Sequence, residues 1–146
     1  MLTPGRRDQP SPLIHSPFGE LNAELSPDGR WLAYQSDESG QAEVYVRPFP
    51  NIDGGRWQVS TGGGERPLWA RNGRELFYLA TVGLMTVPIE TTTVFSIGKP
   101  RKLFDGRYFF GGRYFFGHLS FQGRTYDVSL DGRRFLLIRP AAESAD

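Results

Sequence analysis

Few side chains in this sequence combine in a way that supports covalent chemistry. There are two histidines, His15 and His118, and a Ser-His-Asp set could be drawn from His118, Ser120 and Asp105. A serine hydrolase uses these three residue types, but many also place the serine in a Gly-x-Ser-x-Gly turn, which this sequence lacks. A loop histidine is more often solvated or hydrogen-bonded than catalytic. We therefore expect no catalytic residue and a protein that is not an enzyme.

Metal and nucleotide sites are not indicated either. A calcium loop needs several oxygen ligands at alternate positions around a glycine, and residues 51–54 supply two before the pattern ends. The glycines at 62–64 are not followed by the Lys-Ser/Thr of a phosphate-binding loop. The chain has no cysteine, which excludes a cysteine-ligated zinc site. We expect no metal and no cofactor.

Composition and charge narrow the fold and the partners. The 146 residues include 17 basic and 16 acidic side chains, and a net charge of +1 would not attract nucleic acid. No apolar run reaches the roughly 18 residues of a membrane span, so direct membrane insertion is not expected. The 18 glycines and 11 prolines interrupt helices, and aromatic residues, 14% of the chain, favour strands. The numbers predict a turn-rich, all-β protein.

One turn motif occurs three times. In each copy an Asp or Asn precedes a glycine, an arginine follows it, and an apolar run comes next. Asp and Asn hydrogen-bond to their own backbone in turns, while glycine supplies a positive φ. We expect each copy to join two antiparallel strands as a hairpin. The predicted structural turn residues are Asp28, Gly29, Asn72, Gly73, Asp131 and Gly132.

The repeated turns divide the chain into units. Gly73 follows Gly29 by 44 residues, which matches the roughly 40–45 residues of a four-stranded propeller blade. The three tryptophans lie in or beside predicted strands, where we expect them to pack between sheets. The predicted fold class is all-β, an open or partial β-propeller with about two and a half antiparallel four-stranded blades. The predicted segments are a flexible leader at 1–20, the partial propeller at 21–140 and a tail at 141–146. The partial propeller is made of blade 22–62, blade 65–105, an aromatic glycine-rich insertion at 106–123 and half blade 124–140.

The repeat also resembles a known family. Residues 26–34 (SPDGRWLAY) and 43–46 (EVYV) resemble the TolB-like, WD-type propeller repeat, and 61–69 resembles its link between blades. The similarity extends to the propeller at the C-terminal end of certain bacterial serine/threonine protein kinases. The resemblance implies a β-propeller that binds or senses and lies outside any catalytic domain. Such proteins often work outside the cytoplasm, but the compartment of this chain is not predicted.

A duplicated aromatic segment interrupts the repeat. The hexapeptide at 106–111 recurs unchanged at 112–117, and Gly111-Gly112 between the copies suits a two-residue hairpin turn. Three interpretations remain open: the hairpin covers an open sheet edge, it is a disordered or aggregation-prone loop, or it displays its rings to a ligand. The candidate interaction surface is formed by Tyr108, Phe109, Tyr114 and Phe115.

We therefore expect a non-catalytic module for protein or peptide interaction or sensing, as a fragment of a larger bacterial protein. Two alternatives stay open. The chain could be the propeller part of a serine peptidase without its hydrolase domain, or a propeller that self-associates. The expected partner is a protein or peptide, the missing blades of the parent propeller, or further copies of the chain in a homo-oligomer.

Overall fold

The computed structural model describes residues 12–105 and 126–137. The protein is all-β, with 49% strand and 3% helix, which confirms the predicted class, and its strands form antiparallel sheets of four, five and two strands. A single 3-10 turn covers Ile52–Gly54. The strands are β1 Glu20–Leu25, β2 Trp31–Ser36, β3 Glu43–Pro48, β4 Trp57–Gln58, β5 Glu65–Trp69, β6 Glu75–Ala80, β7 Gly83–Glu90, β8 Ser96–Ile97, β9 Arg101–Asp105, β10 Tyr126–Val128 and β11 Phe135–Leu137.

The strands form three successive units. The first unit is an antiparallel meander in the order β1-β2-β3-β4. The second unit has the order β5-β6-β7, after which β7 pairs with β9 through residues 83–86 and with the short β8 through Ile89 and Glu90. The third unit is the hairpin β10-β11. In each unit, one of the three repeated turns joins the first two strands.

The first two units share details that the sequence does not display. In both, the register of the first hairpin shifts at a β-bulge, between Leu21 and Glu24 in one and between Glu65 and Leu68 in the other. In each unit, the residue that directly follows the last regular pair before the bulge has a positive φ, which is 54° for Asn22 and 48° for Arg66. Asn22 and Arg66 are 44 residues apart, the same interval as the turn glycines, so the backbone repeats from its first strand onward.

The second unit packs one face against the first unit and the other against the third. The side chains three and five residues after the turn glycine lie on the first of these faces, which we call the preceding face. In the second unit Leu76 and Tyr78 are buried there with Ala33 of the first unit. In the third unit Phe135 and Leu137 pack against Phe77 of the second.

The opposite side, the following face, carries the residue four positions after each turn glycine. These residues are Ala33, Phe77 and Leu136. Ala33 and Phe77 are buried against the next unit, whereas Leu136 is 72% exposed. The units are therefore stacked head to tail in one direction, with the hydrophobic core between their faces.

The tryptophans lie between the first and second units, where the sequence predicted inter-sheet packing. Trp69 is buried in this cluster, and Trp31 and Trp57 pack against it at the edge. The indole nitrogen of Trp69 also crosses the interface and donates to the carbonyl oxygen of Glu24 at 3.1 Å. Tyr126 makes the corresponding link between the third and second units, since its hydroxyl donates to the carbonyl oxygen of Arg66 at 2.8 Å.

The first unit begins at the end of the segment predicted as a leader. Strand β1, the expected strand before the first turn, begins at Glu20, the last residue of that segment. Leu13 and Ile14, also in that leader, pack against a cluster of Leu32, Tyr34 and Tyr45 on the first sheet. Two adjacent aliphatic side chains can be buried even between prolines.

Candidate functional site

The three repeated turns have the same geometry. The amide of each glycine donates to the carbonyl oxygen three residues earlier, at 2.8 Å for Gly29 and 2.9 Å for Gly73 and Gly132. All three glycines have φ near 71°. The side-chain oxygen of the preceding Asp or Asn accepts the amide of the arginine that follows the glycine, at distances of 3.1, 2.9 and 3.0 Å. The motif therefore specifies one local structure at all three places.

The repeated turns lie in hairpins whose connections have four residues. The hydrogen-bonded pair that closes the first hairpin is Ser26 and Trp31. The Asp occupies the third position of a β-turn and the glycine the fourth. Gly29 has the positive φ, whereas Asp28 does not.

The turns differ in charge. In the first, the hydroxyl of Ser26 donates to Asp28 at 2.6 Å and lowers the pKa of that carboxyl; the amide and charge of Arg30 act in the same direction, against a partial desolvation. The hydroxyl of Ser129 lowers the pKa of Asp131 in the same way. In the second turn, Ala70 and Asn72 replace this pair, and neither carries a carboxyl group.

A groove of about 530 Å³ lies where the first two turns meet. It exists because the units are stacked, which places the first turn of one beside the first turn of the next and beside the chain that leaves β7. Polar side chains dominate its walls, and one tryptophan contributes an indole ring. The residues that line it are Ser26, Pro27, Asp28, Trp31, Asn72, Gly73, Arg74, Ile89, Glu90, Thr91 and Thr92.

Glu90 is fixed at the wall of this groove by its own loop. One carboxylate oxygen, Oε1, accepts the amides of Thr91 and Thr92 at 2.9 Å each and the hydroxyl of Thr92 at 2.6 Å. These bonds, the Thr92 hydroxyl first, lower the pKa of Glu90, and the charge of Arg74 adds a smaller contribution. Glu90 and Asp28 are therefore both ionised at neutral pH, and with Arg74 they leave the groove with a net negative charge.

Trp31 contributes its ring to the groove and holds a buried N–H donor beside it. Its ring is packed against Phe95 at 4.3 Å and against Trp57 at 5.7 Å between centroids, so its orientation is fixed. Its indole nitrogen is buried and, among the described residues, has no hydrogen-bond partner. An unsatisfied buried donor costs about 1–3 kcal/mol. A ligand carbonyl or carboxylate that reached this nitrogen would remove that cost.

A second polar cluster lies at the other end of the first unit. The carboxylate of Glu43, 1% exposed, accepts the hydroxyl of Ser60, the amide of Gly63 at 2.8 Å and the side-chain amide of Gln41 at 2.9 Å. A Cβ on Gly64 would collide with Ser60. The cluster fastens the link between the first two units to β3. Its hydrogen bonds are internal, so its role is structural.

The other groups considered from the sequence are described only in part. Residues 51–54 comprise the 3-10 turn and its N-cap, with Ile52 buried, and Arg47 donates to the carbonyl oxygen of Ile52 at 3.2 Å. Asp105 ends β9. His118, Ser120 and the aromatic surface of Tyr108, Phe109, Tyr114 and Phe115 lie outside the described residues.

The groove itself was missed by sequence reasoning. Thr91 and Thr92 lie in a connection with no motif, and Trp31 was assigned to packing alone. The one available signal was the second copy of the turn 44 residues after the first, since two equivalent turns on adjacent units must lie side by side.

No family model matches the chain, and a search of curated proteins finds no match. Within residues 12–105 and 126–137, no group of three or more His, Asp or Glu side chains is placed to hold a metal ion. No helix in this part of the chain is long and apolar enough to cross a membrane.

Proposed function

We propose that the protein is a non-catalytic module of the β-propeller type, similar to TolB-like repeats, and that it binds a protein or peptide partner. Within this proposal each unit is a propeller blade: two blades with four principal strands, followed by part of a third. The groove between the first two blades is the binding site.

The stacking of the units supports the propeller interpretation. In a propeller, each blade covers the next with the same face, and the innermost strands of neighbouring blades are adjacent. Here, at both interfaces, the following face of one unit packs against the preceding face of the next. Trp69 and Tyr126 also donate hydrogen bonds to the first strand of the unit before them.

The observation that carries the binding proposal is the groove. Its volume of about 530 Å³ is that of a ligand site, and its walls combine two ionised carboxylates with Trp31, whose buried N–H has no hydrogen-bond partner among the described residues. A peptide has the complementary groups, because its carbonyl oxygens accept hydrogen bonds and a lysine or arginine side chain pairs with carboxylates. We therefore expect a peptide segment that carries a basic residue.

Selection from a displayed library of random peptides tests this proposal. The unmodified chain is the target, and recovered peptides are measured by fluorescence anisotropy. We expect enrichment of peptides with lysine or arginine. The double variant Asp28→Asn, Glu90→Gln should weaken their binding by about tenfold or more, which corresponds to one charge-assisted hydrogen bond.

Two further variants refine the test. Trp31→Phe keeps the ring but removes the N–H, and we expect a smaller loss of affinity. Val82→Ser alters an exposed residue in the turn at the opposite end of β6 and should leave binding unchanged. The proposal fails if no peptide is enriched, or if the groove variants bind the selected peptides as well as the unmodified chain does.

A further inference from the structure

The preceding face of the first unit is buried although no described sheet comes before it. Leu32, Tyr34 and Tyr45 form this face and are only 7%, 2% and 1% exposed. Their counterparts in the second unit, Leu76 and Tyr78, are buried by a whole sheet. A smaller structure must therefore replace that sheet on the first unit.

The cover is supplied by the start of the chain and by the connection after β3. Leu13, Ile14 and Phe49 pack against the three buried side chains. The segment at 12–18, which we call the cap, ends where the amide of Gly19 donates to Asp37 at 2.9 Å. Arg47 closes another side, since its guanidinium donates to the hydroxyl of Tyr34 at 2.8 Å.

The cap covers only part of the face. Leu25 lies on the first strand opposite Leu32, at the position of the buried Trp69 in the second unit, yet it is 46% exposed. Phe18 of the cap is itself exposed. Apolar side chains are therefore left exposed beside the cap, whereas the equivalent Trp69 of the second unit is buried.

The opposite end of the stack carries a matching surface. Leu136 is exposed at the position where Ala33 and Phe77 contact a following unit, and its cross-strand partner on the same face is Asp127. On the first unit, Arg47 and Arg56 lie over the rings of Tyr34 and Tyr45. The surface on the first unit thus carries two guanidinium groups at its side, of which Arg56 is paired with Glu38, and the surface on the third unit carries the carboxylate of Asp127.

We propose that the cap holds the place of a preceding unit, and that the surface beneath it binds the third unit of a second copy of this chain. The contact would repeat, between molecules, the packing that joins the second and third units within one molecule. Because the cap occupies the surface, it lowers the apparent affinity between copies. This inference rests on the stacked-unit architecture in the proposed function but not on the groove, so loss of peptide binding would leave it intact.

Sedimentation velocity over a range of concentrations tests the proposal. Leu13→Ser with Ile14→Ser weakens the cap, and we expect self-association to begin at a concentration at least about tenfold lower than in the unmodified chain. Adding Leu136→Asp to this double variant should restore the behaviour of the unmodified chain. Leu130→Ser, at an exposed residue in the third turn, is the matched control. Added to the same double variant, it should leave the self-association unchanged.

Folding is checked separately by circular dichroism and by the fluorescence of the tryptophans, which lie in the other interface. If the serine variant does not fold, the milder pair Leu13→Ala, Ile14→Ala takes its place. A folded cap variant that stays monomeric at every concentration would overturn the proposal. Self-association that persists after Leu136→Asp would also overturn it.

Discussion

The first and second units share a backbone but differ in the side chains at one end. Both have the bulge, the turn and a proline at the same register position of the third strand, Pro48 opposite Trp31 and Pro88 opposite Glu75. At the end nearest the link, the first unit buries Gln35 and Glu43. The equivalent residues of the second unit are apolar or lack a side chain.

This difference shows which features define the unit and which connect it. The register equivalents of Gln35 and Glu43 are Leu79 and Gly83, neither of which could hold a following link by accepting hydrogen bonds. The first link is short and fastened by Glu43, whereas the sequence after the second unit carries the duplicated aromatic hexapeptide. The turn and the bulge therefore define the backbone that both units share. The polar cluster occurs only in the first of these two units, where it holds the link.

The largest effect is expected where the second unit contacts the third. Phe77 is 2% exposed and meets Phe135 edge-on, with 5.1 Å between ring centroids. Phe77→Ala should lower the free energy of unfolding by about 3–5 kcal/mol, as measured by urea denaturation. Leu136→Ala changes the same position of the third unit, and because that side chain is exposed we expect about 0.5 kcal/mol or less. Equal losses would contradict the head-to-tail stack.

Glu43 is the next most sensitive position. Glu43→Leu preserves bulk but removes the acceptor of three hydrogen bonds, and we expect a loss of about 2–3 kcal/mol in thermal or chemical denaturation. Glu38→Ala is the control, because Glu38 forms a partly exposed ion pair with Arg56 and such pairs contribute about 1 kcal/mol at most. If both variants lose the same stability, the cluster does not fasten the link.

The turn glycines should respond equally in both units. A Cβ at Gly29 has no atom within 4 Å, and at Gly73 the nearest is Pro27 at 3.8 Å, so alanine adds backbone strain without a clash. Gly29→Ala and Gly73→Ala should each cost about 1–2 kcal/mol of unfolding free energy. Asparagine, which tolerates positive φ, should cost less. A large difference between the two glycines would show that the turns are not equivalent.

The smallest effect is expected for Asp28→Asn, which gives the first turn the residue of the second. At pH 7 we expect a change of about 0.5 kcal/mol or less, since Asn72 makes the same bond to the amide of Arg74. The folded-state pKa of Asp28 is below its ordinary 3.8, so its charge stabilises the fold above that pH. This contribution is lost as the pH falls below 3.8 and through the folded-state pKa.

The free energy of unfolding, measured by denaturation between pH 6 and 2, tests the role of the Asp28 carboxylate in the first turn. Asp28→Asn should lose less stability with falling pH than the unmodified chain, because the asparagine does not titrate. Ser26→Ala should reduce the same acid sensitivity by removing the largest cause of the lowered pKa. Parallel curves for all three proteins would contradict the assigned role of the carboxylate.

Local chemistry explains what the sequence could predict. The Asp/Asn-Gly turns and the strands with aromatic or β-branched residues, such as β2 and β3, were identified with boundaries close to those in the structure. Strand β1 lacks such residues, so its bounds were not predicted, although Leu21, Ala23 and Leu25 alternate along it.

The polar cluster and the groove depend on contacts between distant residues. Ser60 and Glu43 are 17 residues apart, and polar residues of this kind are ordinarily expected at the surface. Trp31 could be assigned to packing from its strand, but the isolation of its N–H depends on Trp57 and Phe95. The polar cluster forms within the first unit and its link, whereas the groove forms because the first two units are stacked.

The central claim is that every unit turns the same face to the next, and nuclear Overhauser effects between side chains test it most directly. On the unmodified chain, we expect the ring protons of Phe77 to show contacts with Phe135, while Leu76, its neighbour in sequence, shows contacts with the first unit. Contacts from Phe77 to Val44 or Val46 of the first sheet would reverse the faces and contradict the account.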